Sequence, residues 1–210
     1  MRTCQEDKKM SENEKHSEKM KRLKTSKQKI FSKKTEKKGL IIVNTGTGKG
    51  KSTAGFGMVF RAIAHGMPCA VVQFIKGAMA TGERALIQNH FHELCEFHTL
   101  GDGFTWDTQD KEKDIASAMK AWSKAKELIL DEEKKIILLD EINIALRYGY
   151  IEIDDVVSFL QDKKPKMTHV ILTGRNASEN LISIADLVTV MTLVKHHFRN
   201  GVMSQAGIEF

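Results

Sequence analysis

Short runs of apolar residues alternate with amphipathic stretches from Gly39 onward. The runs have the length and β-branched content of buried strands, and glycines or polar residues bound them. The amphipathic stretches repeat apolar residues at the helical interval, as Phe56, Val59, Phe60 and Ile63 do. The predicted strands are Leu40–Val43, Ala70–Ile75, Ile136–Leu139, His169–Thr173 and Leu187–Val194, with a short final strand near Ile208. The predicted helices are Ser52–His65, Glu83–Phe91, Asp110–Leu130, Ile153–Leu160 and Ser178–Ile184.

This alternation of strands and helices along the chain predicts a fold class. Parallel strands need helical crossovers between them, and each crossover places a helix on one face of the sheet. We therefore expect an α/β fold, a three-layer domain with a mostly parallel sheet. The sequence contains no internal repeat.

Residues 1–38 differ from the rest of the chain in composition. They contain 14 basic and 6 acidic side chains, a net charge of +8, which leaves 19 basic and 21 acidic side chains elsewhere. Such a lysine-rich segment buries little surface, so we expect an extension that is largely disordered or helical, followed by one domain at residues 39–210. Because the net positive charge comes from the extension, the overall charge of +6 predicts no specific nucleic-acid partner.

Cysteine usage and hydropathy indicate the compartment. Cys4, Cys69 and Cys95 are odd in number and widely spaced, which is not typical of a disulfide framework or a metal-binding knuckle. No apolar run approaches the length of a membrane span, and the first residues lack the apolar core of a secretory signal. We expect a cytoplasmic protein with reduced thiols and no membrane partner.

A segment rich in glycine and lysine joins the first predicted strand to the first predicted helix. Its sequence is Thr45-Gly46-Thr47-Gly48-Lys49-Gly50-Lys51-Ser52-Thr53. In this setting small residues let backbone N–H groups point inward, and the helix N-terminus adds partial positive charge. Lys51 supplies a full charge and Ser52 a hydroxyl for Mg²⁺. We interpret it as a variant P-loop, because Thr45 replaces the usual first glycine; the alternative is a glycine-rich turn that binds nothing.

Two carboxylates, Asp140 and Glu141, follow the apolar run Ile136–Leu139. In P-loop proteins a carboxylate at this strand end faces the Mg²⁺, a cation that prefers oxygen ligands. The alternative is that the pair only caps the strand or begins the next helix. With the glycine loop, these residues narrow the predicted fold to a P-loop, RecA-like domain that binds ATP.

Several further segments narrow the class of P-loop protein. In chain order they are Gln73–Gly77, Gly82-Glu83, Gly103-Phe104-Thr105-Trp106, Leu139–Ile142, Thr173-Gly174-Arg175, and Val194-Lys195-His196 with Gly207-Ile208. With the glycine loop, this series across residues 39–210 closely resembles the ATP:corrinoid adenosyltransferases of cobalamin biosynthesis and salvage. Two residues depart from that family, since Asn44 stands where relatives tend to carry an aromatic residue and Ser52 replaces a more usual threonine.

The resemblance implies an activity: transfer of the 5′-deoxyadenosyl group of ATP to the Co(I) centre of a corrinoid, with release of triphosphate. It implies nucleotide contacts from the whole loop Thr45–Thr53 and from Glu83, Arg175 and Lys195. It further implies Mg²⁺, with Mn²⁺ as a substitute, at Ser52, Asp140 and Glu141. Lys51, Phe104 and Trp106 become the expected catalytic residues. An electron donor such as a flavoprotein and a homodimer are implied as partners.

Alternatives to these residue roles stay open. The resemblance implies that Phe104 and Trp106 cover one face of the corrin. The alternative is that they are ordinary aromatic residues of the hydrophobic core. Glu83 is equally explained as a helix N-terminal acid and Arg175 as a surface salt-bridge residue, while Lys195 contacts either phosphate or a corrin side chain. A RecA-like or kinase-like ATPase would share the loop and the two carboxylates but would cleave at phosphorus. A nucleic-acid-binding protein that depends on the basic extension is the second rival.

Overall fold

The computed structural model describes residues 11–74, 81–100 and 110–209. The chain divides into two compact units, residues 1–37 and 38–210. In the first unit, helix α1 spans Glu12–Phe31, and its first turn forms a capping box. Ser11 N donates to a Glu14 carboxylate oxygen at 2.8 Å, and Glu14 N donates to Ser11 Oγ at 3.3 Å. No residue of α1 is buried, so capping and helix propensity stabilise it within this unit.

In the described part of the second unit, six parallel strands form a single sheet in the order β3-β2-β4-β5-β1-β6. The strands are β1 Ile41–Thr45, β2 Cys69–Gln73, β3 Cys95–Thr99, β4 Ile136–Asp140, β5 His169–Thr173 and β6 Leu187–Val190. The predicted α/β class with a parallel sheet is confirmed. Among the described strands the sheet is wholly parallel, where the sequence predicted a mostly parallel one.

Helices cover both faces of this sheet. They are α2 Lys51–Ala64, α3 Gly82–His90, α4 Lys111–Leu130, α5 Ile142–Arg147, α6 Ile153–Asp162 and α7 Glu179–Ile184. One face packs against α2 and α3 through Ile42, Phe56 and Ile87. The other packs against α4 to α7, where Val43 and Trp122 belong to the same core cluster. Ile42 and Val43 lie in different clusters because successive strand residues point to opposite faces, and this arrangement produces the three predicted layers.

The strand order places the candidate residues at one edge of the sheet. β4, β5 and β1 lie side by side, so their carboxyl ends, at Asp140, Thr173 and Thr45, are neighbours. Ligands of α/β proteins bind at this edge, beyond the carboxyl ends of the strands. The fold therefore brings the glycine loop next to Asp140-Glu141 and Gly174-Arg175. No helix among the described residues is long and apolar enough to cross a bilayer.

Three differences from the predicted elements affect the site. The prediction of a final strand near Ile208 is wrong. Residues 206–209 form a turn, in which Ile208 N and Glu209 N both donate to the Gln205 carbonyl. β6 is shorter than predicted, because the Met191 carbonyl that follows it accepts from Gly48 N in the glycine loop. β3 and α5 were missed; β3 buries only Cys95 fully and lacks an apolar run.

Candidate functional site

The glycine loop is held by the chain segment that follows β6. Gly48 N donates to the Met191 carbonyl at 2.7 Å, and Met191 N donates to the Thr45 carbonyl at 2.8 Å. A Cβ at Gly46 would lie 2.4 Å from that Met191 oxygen, and one at Gly48 2.8 Å from it. Gly46 also has a φ of 101°, in the left-handed region. Glycine is therefore required at 46 and 48 for the loop to approach the Met191 backbone.

Gly46→Ala is expected to lower the free energy of unfolding by about 2 kcal/mol or more, because it combines a positive φ with a backbone clash. Gly57→Ala, in α2, is the matched control, since a Cβ there meets nothing within 4 Å. That control is expected to stabilise the protein by about 0.5–1 kcal/mol, as for an exposed helix glycine. Urea denaturation of both variants measures the difference, and equal stabilities would contradict this account of the loop.

The N-terminus of α2 supplies backbone donors to the site. Gly50 is the N-cap, with a φ of 102°, and it provides no side-chain hydrogen bond to the helix. The first N–H groups of a helix have no partner within it, and the helix dipole makes this end partly positive. The end of α2 is therefore available to an anion such as a phosphate group.

Lys51 is the first residue of this helix. Its side chain is buried, and Nζ donates to the Gly48 carbonyl at 2.5 Å. Burial lowers the pKa of Lys51 below its ordinary 10.5; Glu141 opposes this shift, and Arg175 and Lys49 add to it. The structure thus keeps an ammonium group in a partly desolvated position among other cations, where a polyanion would stabilise it.

The two carboxylates at the end of β4 have different surroundings. Asp140 is fully buried and accepts hydrogen bonds from Gln73 Nε2 at 3.0 Å and Thr173 Oγ1 at 2.8 Å. Glu141 follows with a φ of 63° and lines the cavity described below. Thr173 Oγ1 also accepts from Glu141 N at 2.9 Å, so one hydroxyl holds both residues in place.

Arg175 reaches the site from the end of β5. The preceding Gly174 has a φ of 129°, and a Cβ there would lie 2.9 Å from Asn143 Cβ and 3.3 Å from Glu141 Oε2. Asn143 Nδ2 donates to the Gly174 carbonyl at 3.2 Å. This close contact of the β5–α7 connection with Glu141 and the first turn of α5 places Arg175 and Glu141 in one cavity.

These elements enclose a cavity of about 750 Å³ at the carboxyl edge of the sheet. That volume lies in the range of about 300–1,000 Å³ that is usual for small-molecule sites. Among the described residues, its lining comprises Gly48, Lys49, Gly50, Lys51, Ser52, Thr53, Thr81, Gly82, Glu83, Glu141, Arg175, Lys195, His196, His197, Gly207, Ile208 and Glu209. Four of these side chains are lysine or arginine and three are glutamate, so the cavity suits a polyanion that also carries a cation.

Most of the predicted site residues meet in this cavity. Gly48 to Thr53, Glu83, Glu141, Arg175 and Lys195 all line it. Glu83 fits both of its predicted roles, since it also lies in the first turn of α3. Thr45, Gly46, Thr47 and Asp140 lie outside the lining: Thr45 Oγ1 accepts from Ala177 N at 3.0 Å, and Thr47 is exposed. Phe104 and Trp106 fall outside the described residues.

The sequence did not indicate three of the lining residues, Thr81, His197 and Glu209. Thr81 is buried, and its hydroxyl caps α3. Glu209 lies in the turn that replaced the predicted final strand, and its Oε1 is 3.0 Å from Lys49 Nζ and 3.2 Å from His197 Nε2. Thr81 precedes the family-like pair Gly82-Glu83, and Glu209 follows the family-like pair Gly207-Ile208. Their position next to these pairs was the one signal in the sequence that could have pointed to them.

Comparisons with known proteins agree with this geometry. The family model described as ATP:corrinoid adenosyltransferase BtuR/CobO/CobP matches residues 37–210. A corrinoid adenosyltransferase of a Sinorhizobium species is 67% identical over 93% of this chain and 91% of its own length. One from Pseudomonas aeruginosa is 46% identical over 94% of this chain and 96% of its own length. One from Escherichia coli K12 is 42% identical over 83% of this chain and 87% of its own length.

Proposed function

Because the chain belongs to the ATP:corrinoid adenosyltransferase family, we propose that it transfers the 5′-deoxyadenosyl group of ATP to the Co(I) centre of a corrinoid. It is an enzyme of cobalamin biosynthesis or salvage. The reaction forms a bond between cobalt and the 5′ carbon and breaks the bond between that carbon and oxygen. Both electrons of the broken bond leave with the triphosphate, while the cobalt provides the pair for the new bond.

One observation carries the nucleotide side of this proposal: the uncapped N-terminus of α2 and Lys51 face the same cavity. In this reaction the polyphosphate is the leaving group, so negative charge grows on its departing oxygen. The backbone N–H groups, Lys51 and Arg175 would stabilise that charge by hydrogen bonding and Coulomb attraction in a partly dry site. They are already assembled before the reaction, so little reorganisation is required.

The residues that line the cavity also fit a magnesium ion. Ser52 offers a hydroxyl and Glu141 a carboxylate, both of which are oxygen ligands of the kind that Mg²⁺ prefers. Asp140 is buried outside the cavity lining, and Gln73 and Thr173 each donate a hydrogen bond to one of its oxygens. We therefore propose Ser52 and Glu141 as direct ligands and Asp140 as an orienting residue. The ion would supply further neutralisation of the polyphosphate, and Mn²⁺ offers the same chemistry.

For the corrin side we propose that Phe104 and Trp106 cover one face of the ring and exclude the lower cobalt ligand. A cobalt centre without axial ligands is easier to reduce, so the pair would assist the reduction to Co(I). The variant Phe104→Ala/Trp106→Ala is expected to retain activity on chemically reduced Co(I) corrinoid and to lose it when the assay starts from Co(II). Equal loss in both assays would contradict this role.

We also propose the remaining partners from the family resemblance. An electron donor such as a flavoprotein would supply the reduced cobalt, and the enzyme would work as a cytoplasmic homodimer. The described cations that line the cavity support a polyphosphate ligand and do not depend on either partner.

An anaerobic assay tests the proposed function directly. Purified protein is incubated with ATP, Mg²⁺ and chemically reduced cobalamin, and the absorbance of the light-sensitive cobalt–carbon product is followed. Triphosphate should appear in equal amount to that product. Release of ADP and phosphate without dependence on the corrinoid would instead indicate an ATPase that cleaves at phosphorus.

A further inference from the structure

Glu209 is an acidic residue inside a cavity that, in the proposed function, must receive a polyphosphate. Its Oε1 lies 3.0 Å from Lys49 Nζ and 3.2 Å from His197 Nε2, and its side chain is 15% exposed. Lys49 belongs to the glycine loop, where it would contact the polyphosphate. Glu209 already forms an ion pair with this lysine. A carboxylate and a phosphate group make the same kind of contact with lysine and histidine.

Two glycine turns carry Glu209 to this position. The chain passes the glycine loop at Met191, turns at Gly201 with a φ of 78°, and turns again at Gly207 with a φ of 79°. The Gln205 carbonyl accepts from Glu209 N at 3.0 Å and fixes the last turn. Backbone geometry, and not only the attraction to Lys49, therefore brings the carboxylate into the cavity.

We propose that Glu209 is a positioning residue of the polyphosphate site, which competes with the polyphosphate for Lys49 and His197. This inference rests on the proposed function. Before the polyphosphate binds, Glu209 contacts both side chains and offsets the charge of Lys49. When the polyphosphate binds, it must displace the carboxylate from Lys49. When the triphosphate leaves, the carboxylate returns, which favours release of a product that would otherwise remain bound to several cations.

The surrounding charges favour this assignment over a metal site. Ligand atoms of His196, His197 and Glu209 lie within 4.8 Å of one another, a spacing that would suit zinc. However, Lys49 contacts the same Glu209 oxygen, and Lys195 and Arg175 line the same cavity. Without a polyphosphate, these groups would repel a divalent cation held at Glu209, whereas they attract an anion. The proposed Mg²⁺ differs, because it would bind at Ser52 and Glu141 together with the polyphosphate.

The ionisation of Glu209 agrees with this competition. The hydrogen bond from Lys49 is the main cause that lowers the pKa of Glu209 below its ordinary 4.5, and the nearby His197 and His196 lower it further. Glu209 is therefore a carboxylate at neutral pH, and it carries the negative charge that competition requires.

The test measures the binding of inorganic triphosphate by calorimetry, without corrinoid, in the full-length protein. Glu209→Gln is expected to bind triphosphate about 3- to 10-fold more tightly than the wild type, the effect of removing a partly exposed competing charge. Glu209→Asp keeps the charge and should remain close to the wild type. In adenosyl transfer, Glu209→Gln should lower KM for ATP and also lower kcat, because triphosphate leaves more slowly.

Glu96→Gln is the matched control, since Glu96 also contacts a lysine, Lys134, and a histidine, His98, but lies on β3 away from the cavity. It should leave triphosphate affinity unchanged. In a Lys49→Met background, Glu209→Gln should produce little gain in triphosphate affinity, because the ammonium group for which carboxylate and polyphosphate compete is absent.

Each outcome decides the question. Unchanged or weaker triphosphate binding by Glu209→Gln would overturn the inference, and so would an equal gain by Glu96→Gln. If Glu209→Gln does not fold, Glu209→Ala in the same titration must show tighter binding for the inference to stand. If the wild type binds neither triphosphate nor ATP, the proposed function fails as well, which separates the two failures.

Discussion

Lys51→Ala is expected to lower kcat/KM for adenosyl transfer by about 100- to 1,000-fold, the cost of losing one preorganised group that stabilises a developing anion. The ammonium is buried at the N-terminus of α2, where it donates to the Gly48 carbonyl. Water cannot replace a charge at this position, because the replacement would be neutral and mobile. Initial rates with chemically reduced cobalamin and varied ATP measure the effect.

Lys164→Ala is the matched control for Lys51→Ala. Lys164 also has a pKa lowered mainly by burial, and Nζ donates to the carbonyls of Gly39 and Thr168 at 3.0 Å each. It lies outside the cavity lining, so its loss should cost about 1–2 kcal/mol of stability and leave kcat/KM unchanged. If Lys51→Ala lost stability but kept its activity, the proposed role of Lys51 would be wrong.

Glu141→Gln is expected to lower kcat/KM by about 10- to 100-fold and to raise the Mg²⁺ concentration needed for tight ATP binding. The substitution keeps the side-chain shape and the hydrogen bond from Glu141 N to Thr173, but it removes the charge that faces the cavity. Calorimetric titration of ATP at several Mg²⁺ concentrations separates the loss of the ion from the loss of the nucleotide.

Glu83→Gln tests whether the effect at Glu141 is specific to the ion. Glu83 also lines the cavity, but it lies on α3 and not at the end of β4. It should change ATP affinity without shifting the Mg²⁺ dependence. A similar Mg²⁺ shift in both variants would mean that only the total charge of the cavity matters, and Glu141 would lose its assignment as a ligand.

The hydrophobic pattern was sufficient for most of the sheet. β1, β2, β4 and β5 are buried along nearly their whole length, and a strand buried on both faces appears in the sequence as a continuous apolar run. β3 lies at the edge of the sheet and carries Glu96 and His98, so the same criterion misses it. The turn at residues 206–209 depends on a positive φ at Gly207, and an apolar residue beside it resembled a strand.

The residues of the candidate site also fall into those that the sequence predicted and those that it did not. Local motifs identified Lys51, Ser52 and Glu141, because each is fixed by a strand end or a helix start close to it in sequence. The separate surroundings of Asp140 and Glu141 were not predictable, since they depend on Gln73 and Thr173 from two other strands. The ion pair of Lys49 with Glu209 joins residues 160 positions apart, and no pattern within the sequence reports such a contact.

The contact between Met191 and the glycine loop restricts the amino acids tolerated at the glycine positions much more than those tolerated at position 191. The loop meets a main-chain oxygen of Met191, which every amino acid possesses, so many side chains are tolerable at position 191. Positions 46 and 48 tolerate no side chain, because even a Cβ atom there would clash with the Met191 carbonyl oxygen. Random mutagenesis with selection for growth on cobalamin-dependent metabolism should therefore recover many residues at 191 and glycine alone at 46.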